Sequence, residues 1–125
     1  MIEIKDLKKS FDGVEVLKGI STNFETGKVN LIIGQSGSGK TVFLKSLLNV
    51  YQPTSGEILF DGRDINKMGR EDKQQLRSEI GTVFQGSALF DSMTVEENIT
   101  FPLDMFTNLS FREKKRRAFE VIGRV

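Results

Sequence analysis

Gly34-Gln35-Ser36-Gly37-Ser38-Gly39-Lys40-Thr41 is the stretch that decides the fold. It has the glycine, lysine and hydroxyl spacing of a phosphate-binding P-loop. Phosphates are dense in negative charge, so a protein site must meet them with many donors. The glycines let the backbone curl until successive N–H groups point inward as an anion nest. A helix beginning near Gly39 aims its N-terminal dipole at the same place. Lys40 is placed to reach the β- and γ-phosphates, and the Thr41 hydroxyl to ligate Mg²⁺. The flanks agree with that role. Residues 29–33 read as a mostly apolar buried strand, with Asn30 the exception, running into the loop. From Thr41 onward Phe43, Leu44, Leu47, Leu48 and Tyr51 recur on one face at helical spacing, and Pro53 predicts the stop. Strand, glycine-rich loop and helix together define an α/β nucleotide-binding core.

Upstream of the loop, Ile2, Ile4 and Leu7 predict a half-buried strand. Asp12-Gly13 predicts a type I′ hairpin turn, with residues 14–24 as the return strand. Downstream, Ile58-Leu59-Phe60, Asp61-Gly62 and Arg63-Asp64-Ile65 predict a second hairpin. Asp61 ends an apolar run and so mimics a Walker B aspartate. Gly62 follows it rather than a catalytic glutamate, and the pair reads as a turn. Residues 71–78 predict a short polar helix and 80–84 another short strand. After Gln85 the pattern becomes helical. Thr94-Val95-Glu96-Glu97 and Ser110-Phe111-Arg112-Glu113 both match the capping box. The last predicted helix carries Ala118, Ile122 and Val125 on one side, with no capping signal at Val125. The pattern reads as cut inside a domain. Residues 1–85 form the front of the nucleotide-binding core, and 86–125 its exit and the beginning of a helical subdomain.

Composition narrows the chemistry. The 125 residues hold no cysteine and no histidine, so neither a disulfide, a thiolate metal site nor an imidazole base can come from them. A net charge of +1 gives no reason to expect nucleic acid or an acidic membrane as partner. The N-terminus alternates charged and apolar residues unlike a signal peptide, and no apolar run approaches the ~20 residues of a membrane span. These features suit a cytoplasmic protein. The basic run Arg112, Lys114, Lys115, Arg116 and Arg117 reads as a solvated helix face. Phe84, Phe90, Phe101, Phe106 and Phe111 cluster in the later part of the chain.

From Ile2 onward the sequence resembles the ATP-binding subunits of ABC transporters. Four stretches carry the resemblance: the opening hairpin from Leu7 to Ser21, the P-loop, Pro53-Thr54-Ser55-Gly56-Glu57-Ile58-Leu59-Phe60-Asp61-Gly62, and Ile80-Gly81-Thr82-Val83-Phe84-Gln85. The last is similar to the family's Q-loop strand. Within the family, Phe84 to Val95, Glu97-Asn98-Ile99 and Phe101-Pro102-Leu103 look most like the bacterial Mla/Mce-type ATPases, which drive phospholipid transport. The resemblance implies that Phe11 stacks on adenine and that Val16 packs against the same base. Residue chemistry alone reads both equally as core positions. It implies that the backbone N–H of Val42 serves the α-phosphate, although a second hydroxyl is commoner there. It implies that Gln85 contacts Mg²⁺ and the attacking water. ATP and Mg²⁺ are the implied ligands. A second ATPase subunit and a membrane permease docking on region 87–106 are the implied partners, with the protein held on the inner face of the cell membrane. The phenylalanines of that region equally suit packing against further sequence.

The Walker B aspartate and its glutamate, the switch histidine and the Leu-Ser-Gly-Gly-Gln signature do not occur in these residues. In the family these groups share the positioning of water and the neutralisation of charge. The expectation is therefore a truncated chain or proteolytic fragment. It would bind nucleotide weakly if at all, would not turn over ATP, and would self-associate through uncovered core surface. Two other functions fit a P-loop: a nucleotide kinase, and a soluble ABC-type ATPase of DNA repair or translation.

Overall fold

The computed structural model describes every residue except Gln85 and Ser87. The chain divides into two compact units, Met1–Gly81 and Thr82–Val125.

The first unit is built on an antiparallel sheet. Strand β1 (Ile2–Phe11) and strand β2 (Val14–Phe24) are joined by the Asp12-Gly13 turn. Both turn residues have positive φ, 48° and 81°, as a type I′ turn requires. Strands β3 (Ser55–Phe60) and β4 (Arg63–Asp64) form the second hairpin across Asp61-Gly62, and the sheet order is β2-β1-β3-β4. Asp61 is thus a turn residue, and its carboxylate takes the amino group of Met1. Both predicted hairpins are in place.

Strand β1 solves a problem of parity. Ile4 and Leu7 are both buried, at 2% and 0% exposure, yet residues three apart lie on opposite faces of a regular strand. A bulge between them restores the phase: the register shifts there against β2, and Asp6 takes a φ of 46°. Strand β3 then passes very close to the bulge. A Cβ on Gly56, at φ +94°, would stand 2.4 Å from the Asp6 carbonyl oxygen and 2.7 Å from Leu7 Cα. Only glycine fits.

Helix α1 (Lys40–Leu47) lies on β2 and joins the core through Phe43 and Leu47. Phe43 meets Phe24 edge to face at 6.3 Å. Each such burial contributes about 2 kcal/mol. Ser46, 1% exposed, satisfies its hydroxyl on the Val42 carbonyl at 2.9 Å. The helix ends well before Pro53. Asn49 enters the left-handed region at φ 53°, and the N–H groups of Val50 and Tyr51 both turn back to the Lys45 carbonyl. Tyr51 therefore leaves the helical face on which its spacing had placed it. Helix α2 (Arg70–Glu79) contributes Leu76 to the core, and Glu79 pairs with Arg63 at 2.9 Å.

Two predicted strands do not form. Residues 29–33 make no ladder: Val29, Leu31 and Ile33 are 102%, 84% and 81% exposed, while Ile32 packs on the core. An inner parallel strand takes its burial from neighbours on both edges, and among the described residues no strand pairs with this segment. Residues 80–84 likewise form no strand, with Val83 100% exposed.

The second unit holds α3 (Val95–Phe106) and α4 (Phe111–Ile122), and both predicted capping boxes are formed. The Thr94 N–H and hydroxyl donate to the Glu97 carboxylate, and those of Ser110 to Glu113. The Asn98 side chain fastens the preceding loop. Its Oδ1 accepts from the Phe90 N–H at 2.7 Å, and its Nδ2 lies 3.0–3.1 Å from the carbonyls of Phe90, Met93 and Thr94. Phe90 packs on Phe101 at 4.7 Å. The basic run on α4 is largely engaged: Lys114 pairs with Asp104 at 2.8 Å, Lys115 with Glu96 at 3.6 Å and Arg117 with Glu120 at 3.1 Å.

Substituting Gly56→Ala combines a disfavoured φ with a backbone clash and is expected to destabilise the first unit by about 3 kcal/mol. Thermal or urea unfolding measures this, and an unchanged midpoint would refute the close-approach argument. A second expectation concerns acid. Glu97 is held below the ordinary glutamate pKa by the Thr94 N–H and then its hydroxyl, and Glu113 by the Ser110 hydroxyl and then its N–H. A folded pKa below the unfolded one stabilises fully above the ordinary value, about 4.3. That contribution is lost as pH falls through the lowered value. Carboxyl carbon shifts of Glu97 and Glu113 should titrate below the ordinary glutamate value, with helical circular dichroism falling over the same range; titration at the ordinary value would contradict it.

Candidate functional site

The site begins where α1 begins. Its N-cap is Gly39 at φ 91°, and no side chain caps the helix. The first intrahelical bond runs from the Phe43 N–H to the Gly39 carbonyl at 2.8 Å. The N–H groups of Lys40, Thr41 and Val42 precede it and have no partner within the helix. No acidic residue stands in the first turn. The positive end of the dipole is therefore neither capped nor neutralised by its own side chains. Helices α3 and α4, by contrast, are both closed by capping boxes.

Gly39 is held by close packing as well as by φ. A Cβ there would meet Leu17 Cδ2 at 3.2 Å, Val16 Cγ1 at 3.3 Å and the Val16 carbonyl at 3.4 Å. The helix start is thus pressed onto β2 beside Val16. The loop closes on itself in front of the helix. The Ser38 N–H donates to the Gln35 carbonyl at 3.2 Å, and the Ser38 hydroxyl lies 2.7 Å from where a Cβ on Gly34 would sit. The Lys40 ammonium folds back over the loop and donates to the carbonyls of Gly34 and Gln35 at 2.7 and 2.6 Å. The Lys40 ammonium, the free helix donors and the exposed Thr41 therefore meet within one turn. That set fits a polyphosphate and the divalent ion it carries.

Phe11 closes the β1–β2 hairpin and is 37% exposed. Its ring meets Tyr51 at 5.2 Å with an interplanar angle of 77°, and the Lys9 ammonium lies 4.8 Å from its centroid. It is therefore accessible rather than a core residue. Gln85 lies outside the described residues. Among the described residues no group of three or more acidic side chains is arranged to hold a metal. A cavity of about 380 Å³ adjoins the loop, lined by β2, residues 31–33, Phe43 and the 38–40 segment. Its lining is largely apolar, with polar side chains from Thr22, Ser38 and Lys40. A second, of about 350 Å³, lies between β4 and α2, where Asp64 is taken up by Lys67 and the Asn66 N–H. Sequence reasoning missed two fastenings, Tyr51 on Phe11 and Asn98 on its loop. Both join residues whose pairing has no periodic signal.

Fold and site together define a P-loop nucleotide-binding module: an uncapped helix start, a glycine loop and a lysine folded across it, with an antiparallel sheet alongside. Comparison with known proteins names the group. The ABC transporter family matches residues 17–125, and the chain belongs to that family. The probable ribonucleotide transport ATP-binding protein mkl of Mycobacterium leprae is 40% identical over 102 residues, covering 82% of this chain and 29% of that protein. The methionine import ATP-binding protein MetN 1 of Rhodococcus jostii is 36% identical, covering 100% of this chain and 38% of its own length. Among solved structures, the dimeric bacterial ABC transporter cassette MJ0796 superposes with a TM-score of 0.84 at 31% identity, over 96% of this chain and 55% of that one. A post-hydrolysis form of the same cassette, bound to ADP and Pi, gives 0.81. The fold is that of the ABC ATPase cassette, and the chain spans about a third of the length of these two relatives and about half that of the cassette.

Proposed function

We propose that these residues are the nucleotide-binding portion of an ABC-type transport ATPase, which binds ATP here and, as a dimer in the intact protein, hydrolyses it to power transport. The observation that carries this is the bare N-terminus of α1 with Lys40 folded over its loop. Gly34, Gln35, Ser36, Gly37, Ser38 and Gly39 supply backbone donors to the phosphates. Lys40 exchanges its two carbonyl partners for β- and γ-phosphate oxygens. Val42 contributes its N–H to the α-phosphate. Phe11 stacks on the adenine, with Val16 packed beside the base. Mg²⁺, held by the Thr41 hydroxyl with Gln85, would neutralise charge on the phosphate oxygens. Membership of the ABC family speaks against a nucleotide kinase.

The intact protein works on the inner face of the cell membrane, where the 87–106 region docks a permease. Among the described residues no helix is long and apolar enough to cross a membrane. Residues 1–85 serve as the front of the ATPase core and 86–125 as the start of a helical subdomain. The 125 residues alone bind ATP only weakly and do not turn it over, and the exposed Val29, Leu31 and Ile33 favour their self-association. The cargo is phospholipid, on the resemblance carried by Phe84 to Leu103. The named relatives instead concern ribonucleotides and methionine.

Lys40→Ala is expected to weaken ATP binding by about 2 kcal/mol or more, roughly 30-fold in Kd. Equal affinity in titration calorimetry would overturn the site, and phosphate release by the 125-residue chain above the Lys40→Ala control would overturn its incompetence. For the cargo, the intact protein with its permease in vesicles should show ATPase activity stimulated by phospholipid and not by methionine or ribonucleotides. The reverse order would remove the lipid assignment.

A further inference from the structure

We infer that Tyr51 is a positioning residue for a nucleobase subsite at Phe11. The inference rests on the nucleotide-binding function proposed above. Phe11 sits at the tip of a hairpin, where its cross-strand partner Val14 is itself 66% exposed. A ring so placed samples several rotamers unless something holds it, and a stacking base must then order it on binding. Tyr51 holds it. The centroid separation of 5.2 Å and the angle of 77° are those of an edge-to-face pair, so one ring fixes the plane of the other.

Tyr51 is itself fastened. Its N–H donates to the Lys45 carbonyl at 3.1 Å, and the Lys45 ammonium lies 5.3 Å from its ring centroid. The segment that follows Tyr51 is bonded at two points to the stretch of β1 that leads into Phe11. The Thr54 N–H donates to the Lys8 carbonyl at 2.8 Å, and the Ser10 N–H to the Thr54 hydroxyl at 3.0 Å. The end of α1, the segment after it and the tip of the first hairpin thus form one fastened unit. The Lys9 ammonium over Phe11 rides on a flexible four-carbon stem and yields that face to a planar ring. Tyr51 acts on the base only through Phe11, by presenting its ring ready-oriented.

The test compares ATP with inorganic tripolyphosphate, which has the phosphates and no base. Binding of each is measured for the protein and for Phe11→Ala, Tyr51→Ala, Tyr51→Leu, Tyr51→Phe and the double variant Phe11→Ala/Tyr51→Ala. Tyr51→Ala should weaken ATP about 2- to 10-fold and leave tripolyphosphate unchanged. Tyr51→Phe, which keeps the ring edge, should restore ATP binding. Tyr51→Ala should add nothing to Phe11→Ala. Tyr51→Leu keeps apolar bulk without an aromatic edge; it should behave as Tyr51→Ala, and it replaces that variant if the smaller side chain unfolds the protein. The inference falls if Tyr51→Leu weakens both ligands equally, if its effect persists without Phe11, or if Tyr51→Phe fails to rescue. If Phe11→Ala leaves the ratio of the two affinities unchanged, base stacking at Phe11 falls first and takes this inference with it.

Discussion

Helix α1 can offer its N–H groups to an anion only because its other surfaces are held. Phe43 and Leu47 anchor it in the core, and Phe24 meets Phe43 edge to face. Leu17 and Val16 of β2 press on Gly39 closely enough that a Cβ there would have to push its neighbours back. These contacts set where the helix starts and which way its dipole points. A helix free to shift along β2 would lose its positive end at the loop. The apolar packing is non-directional and large, about 2 kcal/mol for each buried side chain. It therefore tolerates a helix end that carries no stabilising cap, a loss of about 1 kcal/mol. The first unit keeps this end bare, and the second unit closes both of its helices.

How much of this was legible in the sequence depends on whether the signal was local. Asp12-Gly13 and Asp61-Gly62 encode their turns within two residues, because type I′ geometry demands positive φ at both. Thr94 with Glu97 and Ser110 with Glu113 encode their caps within one turn of helix. The P-loop is equally local. Residues 29–33 were misread because an apolar run states only that burial is wanted, not which partner provides it. The end of α1 was misplaced for a similar reason. Asn49 can adopt a left-handed conformation, and it stopped the helix ahead of the expected Pro53. The close approach at the Asp6 bulge was invisible because the residue that permits it, Gly56, lies on another strand.

The basic run on α4 shows how charge content differs from charge function. Lys114 and Lys115 reach Asp104 and Glu96 on α3, and Arg117 is occupied within its own helix. Partly exposed pairs of this kind contribute little individually. Their value is registry: they set α4 against α3 while Ala118, fully buried, lets the two helices approach. The solvated-face expectation is therefore refined into a helix-to-helix fastening. At the start of α3 Asn98 fastens the preceding loop, its amide bonding three carbonyls and an N–H there.

The exposed face of residues 29–33 and the formed P-loop beside it carry a physical lesson in independence. Val29, Leu31 and Ile33 are solvated although they lead directly into the loop. The loop nevertheless holds its shape, with Lys40 on the Gly34 and Gln35 carbonyls and Ser38 closed on Gln35. Its supports lie on the other side, in α1 and β2. The phosphate site therefore does not need a completed sheet in order to exist as a constellation of donors. Phosphoryl transfer in general asks for more than anion binding, because developing charge and an attacking water must also be met. The donor constellation is held by the packing of one helix on one strand.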